Sequence, residues 1–205
     1  MKRVGLLGGA FNPPHQGHLR LAHLALEALS LDELRFVPTA LSPHKPDPGG
    51  SLPDARMRLL KEALSDFDPR CGVEPLELER GGISYTVDTL EALTQREPDS
   101  RWILIMGSDQ LQGMPSWHRF HRILELASVA TALRPGFALP QPRIPGLAEV
   151  QVWSGLPGEL VCLPSTDLDL ASSHLRSRLQ AAPEQDPGGL HGRVLGTIRS
   201  ENLYR

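Results

Sequence analysis

The sequence predicts an α/β protein built on a mainly parallel, doubly wound sheet with helices on both faces. Short apolar segments bounded by Gly or Pro alternate along the chain with longer segments whose apolar residues recur at helical spacing. Such alternation indicates right-handed βαβ crossovers and therefore parallel strands. The length of 205 residues suits one compact domain, and we expect 1–205 to form it.

Each element follows from its own stretch of sequence. Apolar runs predict strands at 3–7, 34–38, 73–78, 102–106 and 129–133, with shorter ones near 150–153 and 160–163. The first strand should end at Gly8-Gly9 and the third at the turn Gly81-Gly82. Leu and Ala at helical spacing predict helices at about 17–29, 54–67, 85–95, 119–126, 172–180 and 190–199. The Pro-, Gly- and Ser-rich stretch 39–53 is expected to be a loop.

Composition excludes several classes of function. A net charge of −3 and the lack of a basic stripe argue against a nucleic-acid partner. Cys71 and Cys162 lie far apart, outside any Cys-x-x-Cys spacing, so we expect reduced, mostly structural thiols. The basic start lacks a cleavage pattern, and no apolar run reaches the ~20 residues that a membrane span needs. We therefore expect a cytoplasmic protein with no membrane partner.

The loop after the first strand, GGAFNPPHQGH, carries the strongest chemical signal. It matches neither a Walker A loop nor the G-x-G-x-x-G dinucleotide fingerprint. It places His15 and His18 at the mouth of a helix, where backbone N–H groups and the helix dipole favour anions. Gly8 and Gly9 allow the backbone to approach a ligand closely. The two imidazoles could donate to phosphate oxygens, or could be surface histidines that cap the helix.

GAFNPPHQGH resembles the G-x-F-x-P-x-H-x-G-H signature of the nucleotidylyltransferases that share the H-x-G-H motif. That resemblance implies a Rossmann-like fold and nucleotidyl transfer from a nucleoside triphosphate without a covalent intermediate. The segments SPHK, RMR, ISYTVDTLEAL, IMGSDQLQGMPSWHRF and LRPG resemble, in order, the bacterial nicotinate mononucleotide adenylyltransferases. Together the motifs span most of the first 136 residues. The implied substrates are ATP and nicotinic acid mononucleotide, and the implied product is a precursor of NAD.

The resemblance also implies a role for individual residues. Those expected to be catalytic are His15, His18 and Lys45. Those expected at ATP are Gly8, Gly9, Phe11, His15, His18, Gly107, Asp109, Ser172, Ser173 and Arg176. Those expected at the acceptor are Asn12, His44, Lys45, Thr86, Trp117, His118 and Arg134. The part of the chain from about 165 to 205 should complete the ATP site.

Several of these residues have a second interpretation. The Trp117 indole could stack on a pyridinium ring or simply fill the core. The backbone N–H groups of Thr86 and His118 are implied to receive the pyridine carboxylate, which would favour the acid over the amide. Lys45 could be solvated. Ser108-Asp109 could cap a short helix while Asp109 also faces the adenosine.

The segment LASSHLR resembles the family's I-S-S-T-x-I-R motif but departs from it. Ala171 stands where the first Ser is usual, and Ser173 stands where Thr is usual, so the hydroxyl at 171 is missing. A Ser-capped amphipathic helix explains the segment equally well. GTIRSENLY resembles the family's closing helix, which we expect to serve packing rather than chemistry.

No cluster of His, Cys, Asp and Glu suggests a metal held by the protein. We expect Mg²⁺ to arrive with ATP, because this ion keeps most of its water and needs few protein ligands. Two other functions stay open: adenylyl transfer to another acceptor such as phosphopantetheine, and non-catalytic nucleotide binding on the same fold. A homo-oligomer is possible.

Overall fold

The computed structural model describes residues 1–43, 53–132, 143–165 and 170–204. Its elements, in chain order, are β1 (Lys2–Gly9), α1 (Gln16–Ala28), β2 (Glu33–Pro38), α2 (Pro53–Leu64), β3 (Cys71–Val73), α3 (Leu76–Arg80), α4 (Thr86–Arg96), β4 (Ser100–Gly107), α5 (Ser108–Gly113), a 3₁₀ helix (Met114–Ser116), α6 (Phe120–Leu126), β5 (Ala127–Ala132), β6 (Ala148–Val150), β7 (Glu159–Leu163), α7 (Ser172–Ala181) and α8 (Gly192–Ser200). Within these residues no helix is long and apolar enough to cross a membrane.

The seven strands form one sheet in the order β3-β2-β1-β4-β5-β7-β6. Every described pairing is parallel, with Leu6 opposite Arg35 on one side and Leu104 on the other. From β1 the chain first winds outward through β2 and β3, then returns to place β4 on the other side of β1. In such sheets, ligands bind beyond the carboxyl ends of the strands where the winding reverses. The predicted doubly wound parallel sheet is confirmed.

Both faces of the sheet are covered, because alternate residues of the central strands point to opposite faces. One core cluster joins α1 to the sheet through Leu19, Ala22, Leu26, Ile103 and Ile105. The cluster on the other face joins α4 and α6 to the sheet through Val87, Leu90, Leu93, Ile123, Trp102, Leu104 and Met106. A third cluster, which packs α2 against α7 and α8, contains Leu59, Ala63, Leu179, Val194, Leu195 and Ile198.

The six predicted helices are confirmed to within about three residues, but the strand predicted at 73–78 is wrong. The strand β3 ends at Val73 and the helix α3 begins at Leu76. The alternation in Val-Glu-Pro-Leu-Glu-Leu imitates a strand, whereas Pro75 cannot donate a ladder hydrogen bond and suits the start of a helix. Glu77 and Glu79 in the first turn then favour the helix electrostatically. The expected break at Gly8-Gly9 is also wrong, since β1 continues to Gly9.

A network of charged side chains lies near the amino ends of the strands, away from their carboxyl ends. Arg35 on β2 is only 8% exposed, and its guanidinium donates to Glu97 at 2.7 and 2.8 Å and to Glu33 at 2.6 and 3.1 Å. Glu74 contacts Arg35 at 3.4 Å and also pairs with Arg96. The hydrogen bond from Arg35 lowers the pKa of the Glu33 carboxyl to about 2. The network therefore joins β2, α4 and the segment between β3 and α3.

We expect Arg35→Leu to lower the free energy of unfolding by about 3 kcal/mol, because it leaves buried carboxylates without their cation. That figure is the lower end of the free-energy cost typical of breaking a buried ion pair. We use the lower end because Glu33 and Glu97 keep some access to water. Urea unfolding of both proteins measures it. Arg58→Leu is the matched control: its pair with Glu201 is as short, at 2.6 Å, but faces water and should matter little. Equal losses of unfolding free energy in the two variants would contradict the stabilising role assigned to the Arg35 network.

Candidate active site

A cavity of about 630 Å³ lies at the carboxyl ends of β1, β2 and β4, where the winding of the sheet reverses. Its size suits a nucleotide-sized ligand. The wall is built from the ends of strands and the starts of helices: Gly8, Gly9 and Asn12 after β1, Thr39 to Ser42 after β2, Tyr85 and Thr86 at the start of α4, and Asp109, Trp117 and His118 after β4. A Cβ added at Gly8 would meet no atom within 4 Å, so any other residue there would occupy space on the cavity wall.

The loop between β1 and α1 contributes Ala10 and Asn12 to the cavity wall and leads to the two histidines. His15 is the N-cap of α1, and its backbone N–H donates to Nδ1 of His18 at 3.2 Å. In return, the His15 side chain accepts from the backbone N–H of His18. The rings stack with their centroids 3.7 Å apart. The His18 ring therefore accepts at the start of α1, and the contact of the two imidazoles with phosphate stays a prediction.

This geometry sets the tautomer that His18 presents. Nδ1 accepts a hydrogen bond, so a neutral ring carries its proton on Nε2 and offers it as a donor on the far side. Phe11 supports the ring from its edge at 4.9 Å and is itself 1% exposed. Gly17 is required by the same packing, because a Cβ there would come within 3.0 Å of Nδ1 of His15.

The opposite wall of the cavity is made by the start of α4 and the turn after the 3₁₀ helix. The N–H of Thr86 is the first of α4, so it has no partner within its own helix. The His118 ring lies 4.5 Å from the Tyr85 ring, which brings the two segments together. Trp117 is half-buried, packs against the core and also lines the cavity. Its two proposed roles are therefore compatible.

Glu77, a residue of α3 on the cavity wall, is 7% exposed. Thr89 donates to its carboxylate at 2.8 Å, and the hydroxyls of Ser84 and Thr39 also bond to it. Burial is the largest effect and raises the pKa of this carboxyl above its ordinary value. Ser84 in turn accepts from the N–H of Ala40 at 3.0 Å. The buried carboxylate thus connects the segment after β2 to the start of α4.

Three side chains from distant elements hold the carbonyl oxygens of the loop 10–14. Arg56 of α2, 5% exposed, donates to Ala10 at 2.8 Å. Arg176 of α7 donates to Asn12 at 2.7 Å, and Ser172 donates to Pro13 at 3.0 Å. The loop is therefore oriented by the helices around it rather than by its own hydrogen bonds alone.

Two other kinds of chemistry find little support. Within the described ranges no group of three or more His, Cys, Asp and Glu residues could hold a metal ion. Both cysteines are free thiols, as predicted. Burial raises the pKa of the Cys71 thiol to about 12, so it is protonated near neutral pH and is a poor nucleophile.

Comparison with known proteins agrees with this geometry. A cytidylyltransferase-like family model matches residues 6–175. A probable nicotinate-nucleotide adenylyltransferase from Bordetella petrii is 36% identical over 206 residues, covering 100% of both chains. One from Geobacillus thermodenitrificans is 39% identical over 142 residues, which cover 69% of this chain and 65% of that protein. The chain belongs to the nicotinate-nucleotide adenylyltransferase family.

A solved structure shares the fold of this family member. Plasmodium falciparum nicotinic acid mononucleotide adenylyltransferase, complexed with APC, superposes with a TM-score of 0.78. The match covers 100% of this chain and 98% of that one at 16% sequence identity. At that identity the likeness supports the Rossmann-like fold and says nothing of the individual side chains.

The structure of this adenylyltransferase family member separates the residues predicted from its sequence into two groups. Most of the predicted acceptor residues line the cavity: Asn12, Thr86, Trp117 and His118. Gly8, Gly9 and Asp109, predicted at ATP, line it as well. The other residues predicted at ATP lie off its wall: Phe11, His15, His18, Gly107, Ser172, Ser173 and Arg176. His44, Lys45 and Arg134 lie outside the described residues.

Two expectations for particular residues need correction. The N-cap of α5 is Gly107, with no side-chain cap, so Ser108-Asp109 begins the helix rather than capping it. The N-cap of α7 is Ala171, which is why a Ser-capped helix is wrong there. Phe11 is buried against the ring of His18, and its contact with ATP stays a prediction.

Sequence reasoning missed Arg56, Glu77 and Tyr204 as site residues of this adenylyltransferase family member. The motif RMR is visible in the sequence, but only the fold shows that its first arginine is buried on the cavity wall. Glu77 falls in the segment predicted to be a strand. Tyr204 falls in the closing segment predicted to serve packing, yet its hydroxyl lies 2.6 Å from Oδ1 of Asn12. The sequence carries one signal for such residues: a charged residue at a position that the spacing of apolar residues places on the buried side of a helix.

We expect Glu77→Gln to change how the stability depends on pH. Because the pKa of Glu77 is raised on folding, the stability that it contributes is fully present below its ordinary pKa and is lost as the pH rises through the raised value. The variant cannot titrate there. The wild type should therefore lose stability relative to Glu77→Gln as the pH rises above the ordinary carboxyl pKa of about 4, as urea unfolding would measure. Glu79→Gln, exposed on the same helix, is the control, and parallel curves for all three proteins would contradict the prediction.

Proposed function

We propose that the protein transfers the adenylyl group of Mg·ATP to nicotinic acid mononucleotide, giving nicotinic acid adenine dinucleotide and pyrophosphate. One observation carries the proposal. The loop between β1 and α1 contributes Ala10 and Asn12 to the wall of the cavity that also holds Thr86 and Trp117, and it ends at the stacked histidines. Two adjacent binding regions are what the joining of two nucleotides requires. The names of the relatives, including the one matched over its full length, point to the same reaction.

The triphosphate would lie on the histidine side of the loop. The start of α1 offers backbone N–H groups and the positive end of a helix dipole. His18 would donate through Nε2, and the exposed Ser173 at the start of α7 would add a hydroxyl. Arg176 lies beside the same loop, with Nη1 on the carbonyl of Asn12. In this arrangement the part of the chain from about 165 to 205 would complete the ATP site. Residues 1–205 would then form one domain.

The mononucleotide would occupy the cavity. The pyridinium ring would stack on Trp117, an interaction typically worth about 0.5–2 kcal/mol. The backbone N–H groups of Thr86 and His118 would receive its carboxylate, which favours the acid over the neutral amide. Arg56 supplies positive charge on the cavity wall and would balance the buried Glu77 when an anion binds. His44, Lys45 and Arg134 remain candidates for its phosphate.

The chemical step is one in-line displacement. An oxygen of the mononucleotide 5′-phosphate forms a bond to the α-phosphorus of ATP as the bond from that phosphorus to the pyrophosphate oxygen breaks. The attacking phosphate is already ionised near neutral pH, so no general base is needed. His15 and His18 would stabilise the negative charge that builds on the α-phosphate and the leaving group. Magnesium enters and leaves with the phosphates, and we place the reaction in the cytoplasm.

The proposal is tested by pyrophosphate release from Mg·ATP, with nicotinic acid mononucleotide, nicotinamide mononucleotide and phosphopantetheine as parallel acceptors. We expect strong preference for the first, because backbone N–H donors at Thr86 and His118 match a carboxylate and not an amide. Equal use of both pyridine nucleotides would remove the carboxylate argument. Release with phosphopantetheine only, or with none of the three, would overturn the proposed acceptor.

We expect His18→Ala to lower turnover by about 100-fold or more, the usual cost of removing one donor to a developing charge. His23→Ala is the matched control, since His23 is exposed on the same helix α1 and should leave turnover unchanged. Circular dichroism of both variants checks that α1 remains folded. Turnover of a folded His18→Ala protein within a few fold of the wild type would exclude the role assigned to His18.

A further inference from the structure

We propose that Tyr204 is a positioning residue for catalysis, which acts by orienting the side chain of Asn12 in the loop 10–14. The proposal rests on the function proposed above, since it assigns the oriented amide to the acceptor that the cavity would hold. It gives the segment after α8, which the sequence assigned to packing, a direct part in building the site.

The contact itself is short and specific. The hydroxyl of Tyr204 lies 2.6 Å from Oδ1 of Asn12, across 192 residues of sequence. An amide oxygen can only accept, so the tyrosine donates, and this determines which way the amide is turned. The NH₂ group of Asn12, a hydrogen-bond donor, then lies on the other side of the amide. Asn12 is 2% exposed and belongs to the cavity wall, so the way its amide is turned determines which polar group that part of the wall carries.

Tyr204 is itself held firmly enough to orient a partner. Together with Leu203 it packs against the cluster formed by α2, α7 and α8. The N–H of Leu203 donates to the carbonyl of Ile198 at 2.9 Å, which turns the chain back at the end of α8. Asn202 and Tyr204 both adopt left-handed backbone conformations, with φ of 54° and 64°. Asn tolerates this conformation, but it is unfavourable for Tyr204 and persists where the surrounding packing requires it.

The same part of the chain also holds the backbone of the loop. Arg176 and Ser172 bind the carbonyls of Asn12 and Pro13, and the N–H of Gln16 donates to Gly189 at 2.8 Å. Those contacts orient the main chain, whereas Tyr204 contacts a side chain on the cavity wall. A purely structural brace would need no contact with that side chain, and this difference makes the proposal testable.

Tyr204→Phe removes the hydroxyl and keeps the ring that packs on the cluster. We expect kcat/KM for nicotinic acid mononucleotide to fall about tenfold, the effect of losing one hydrogen bond that orients a binding group. The KM for ATP should change less than about twofold, because the ATP side of the loop keeps its own contacts. Ser200→Ala is the matched control: its hydroxyl, also near the end of α8, donates only to Thr197 at 3.1 Å. It should behave as the wild type.

A double-mutant cycle decides whether the effect runs through Asn12. In an Asn12→Ala background, Tyr204→Phe should cause no further loss, because the group that it orients is gone. A full tenfold loss in that background would overturn the proposal, as would Tyr204→Phe kinetics equal to those of Ser200→Ala.

NMR of the substrate-free proteins gives a readout that does not depend on the reaction. The side-chain amide signals of Asn12 should shift in Tyr204→Phe and stay unchanged in Ser200→Ala, because only the first variant loses the hydrogen bond to Oδ1. Unchanged Asn12 signals in Tyr204→Phe would count against the proposal whatever the activity. Absence of wild-type turnover with every acceptor would instead count against the proposed function, so the two failures are distinguishable.

Discussion

Three donors from distant parts of the chain hold the carbonyl oxygens of the short loop between β1 and α1. Arg56 binds Ala10, Arg176 binds Asn12, and Ser172 binds Pro13. This loop contributes Ala10 and Asn12 to the cavity wall and ends at the stacked histidines, so its position sets the spacing between them. Since the proposed in-line displacement tolerates little error in distance or angle, these contacts would matter to the chemistry without touching a reacting atom.

The two ends of the strands serve different purposes. Near the amino ends, Arg35 gathers carboxylates from β2, α4 and the segment after β3, and this network stabilises the fold. At the carboxyl ends, Asn12, Thr86 and Trp117 surround an open cavity and keep polar groups for a ligand. The parallel sheet causes this division, because all its strands end on the same edge and their following loops meet there.

Glu77 and Arg56 show how the site can be both acidic and suited to an anion. A buried carboxylate on the cavity wall would repel a mononucleotide if it stood alone. It accepts hydroxyl donors from Thr89, Ser84 and Thr39, which use it to connect the segment after β2 to α4. The buried guanidinium of Arg56 supplies the opposite charge on the same wall. The cation whose charge acts on Glu77 is Arg80, while Arg56 holds the carbonyl of Ala10.

The sequence by itself determined the order of the elements, the parallel sheet and the family. Apolar periodicity is a local property, and GAFNPPHQGH, SYTVDT and PSWHRF are contiguous in the chain, so no fold was needed to find them. Local periodicity also misled where Pro75 turned an apparent strand into α3. Only the tertiary structure decided that Arg56 and Glu77 share the cavity wall, and that Tyr204 bonds to Asn12 across 192 residues. Both relations bring together residues far apart in sequence through the packing of helices, and no local pattern encodes that packing.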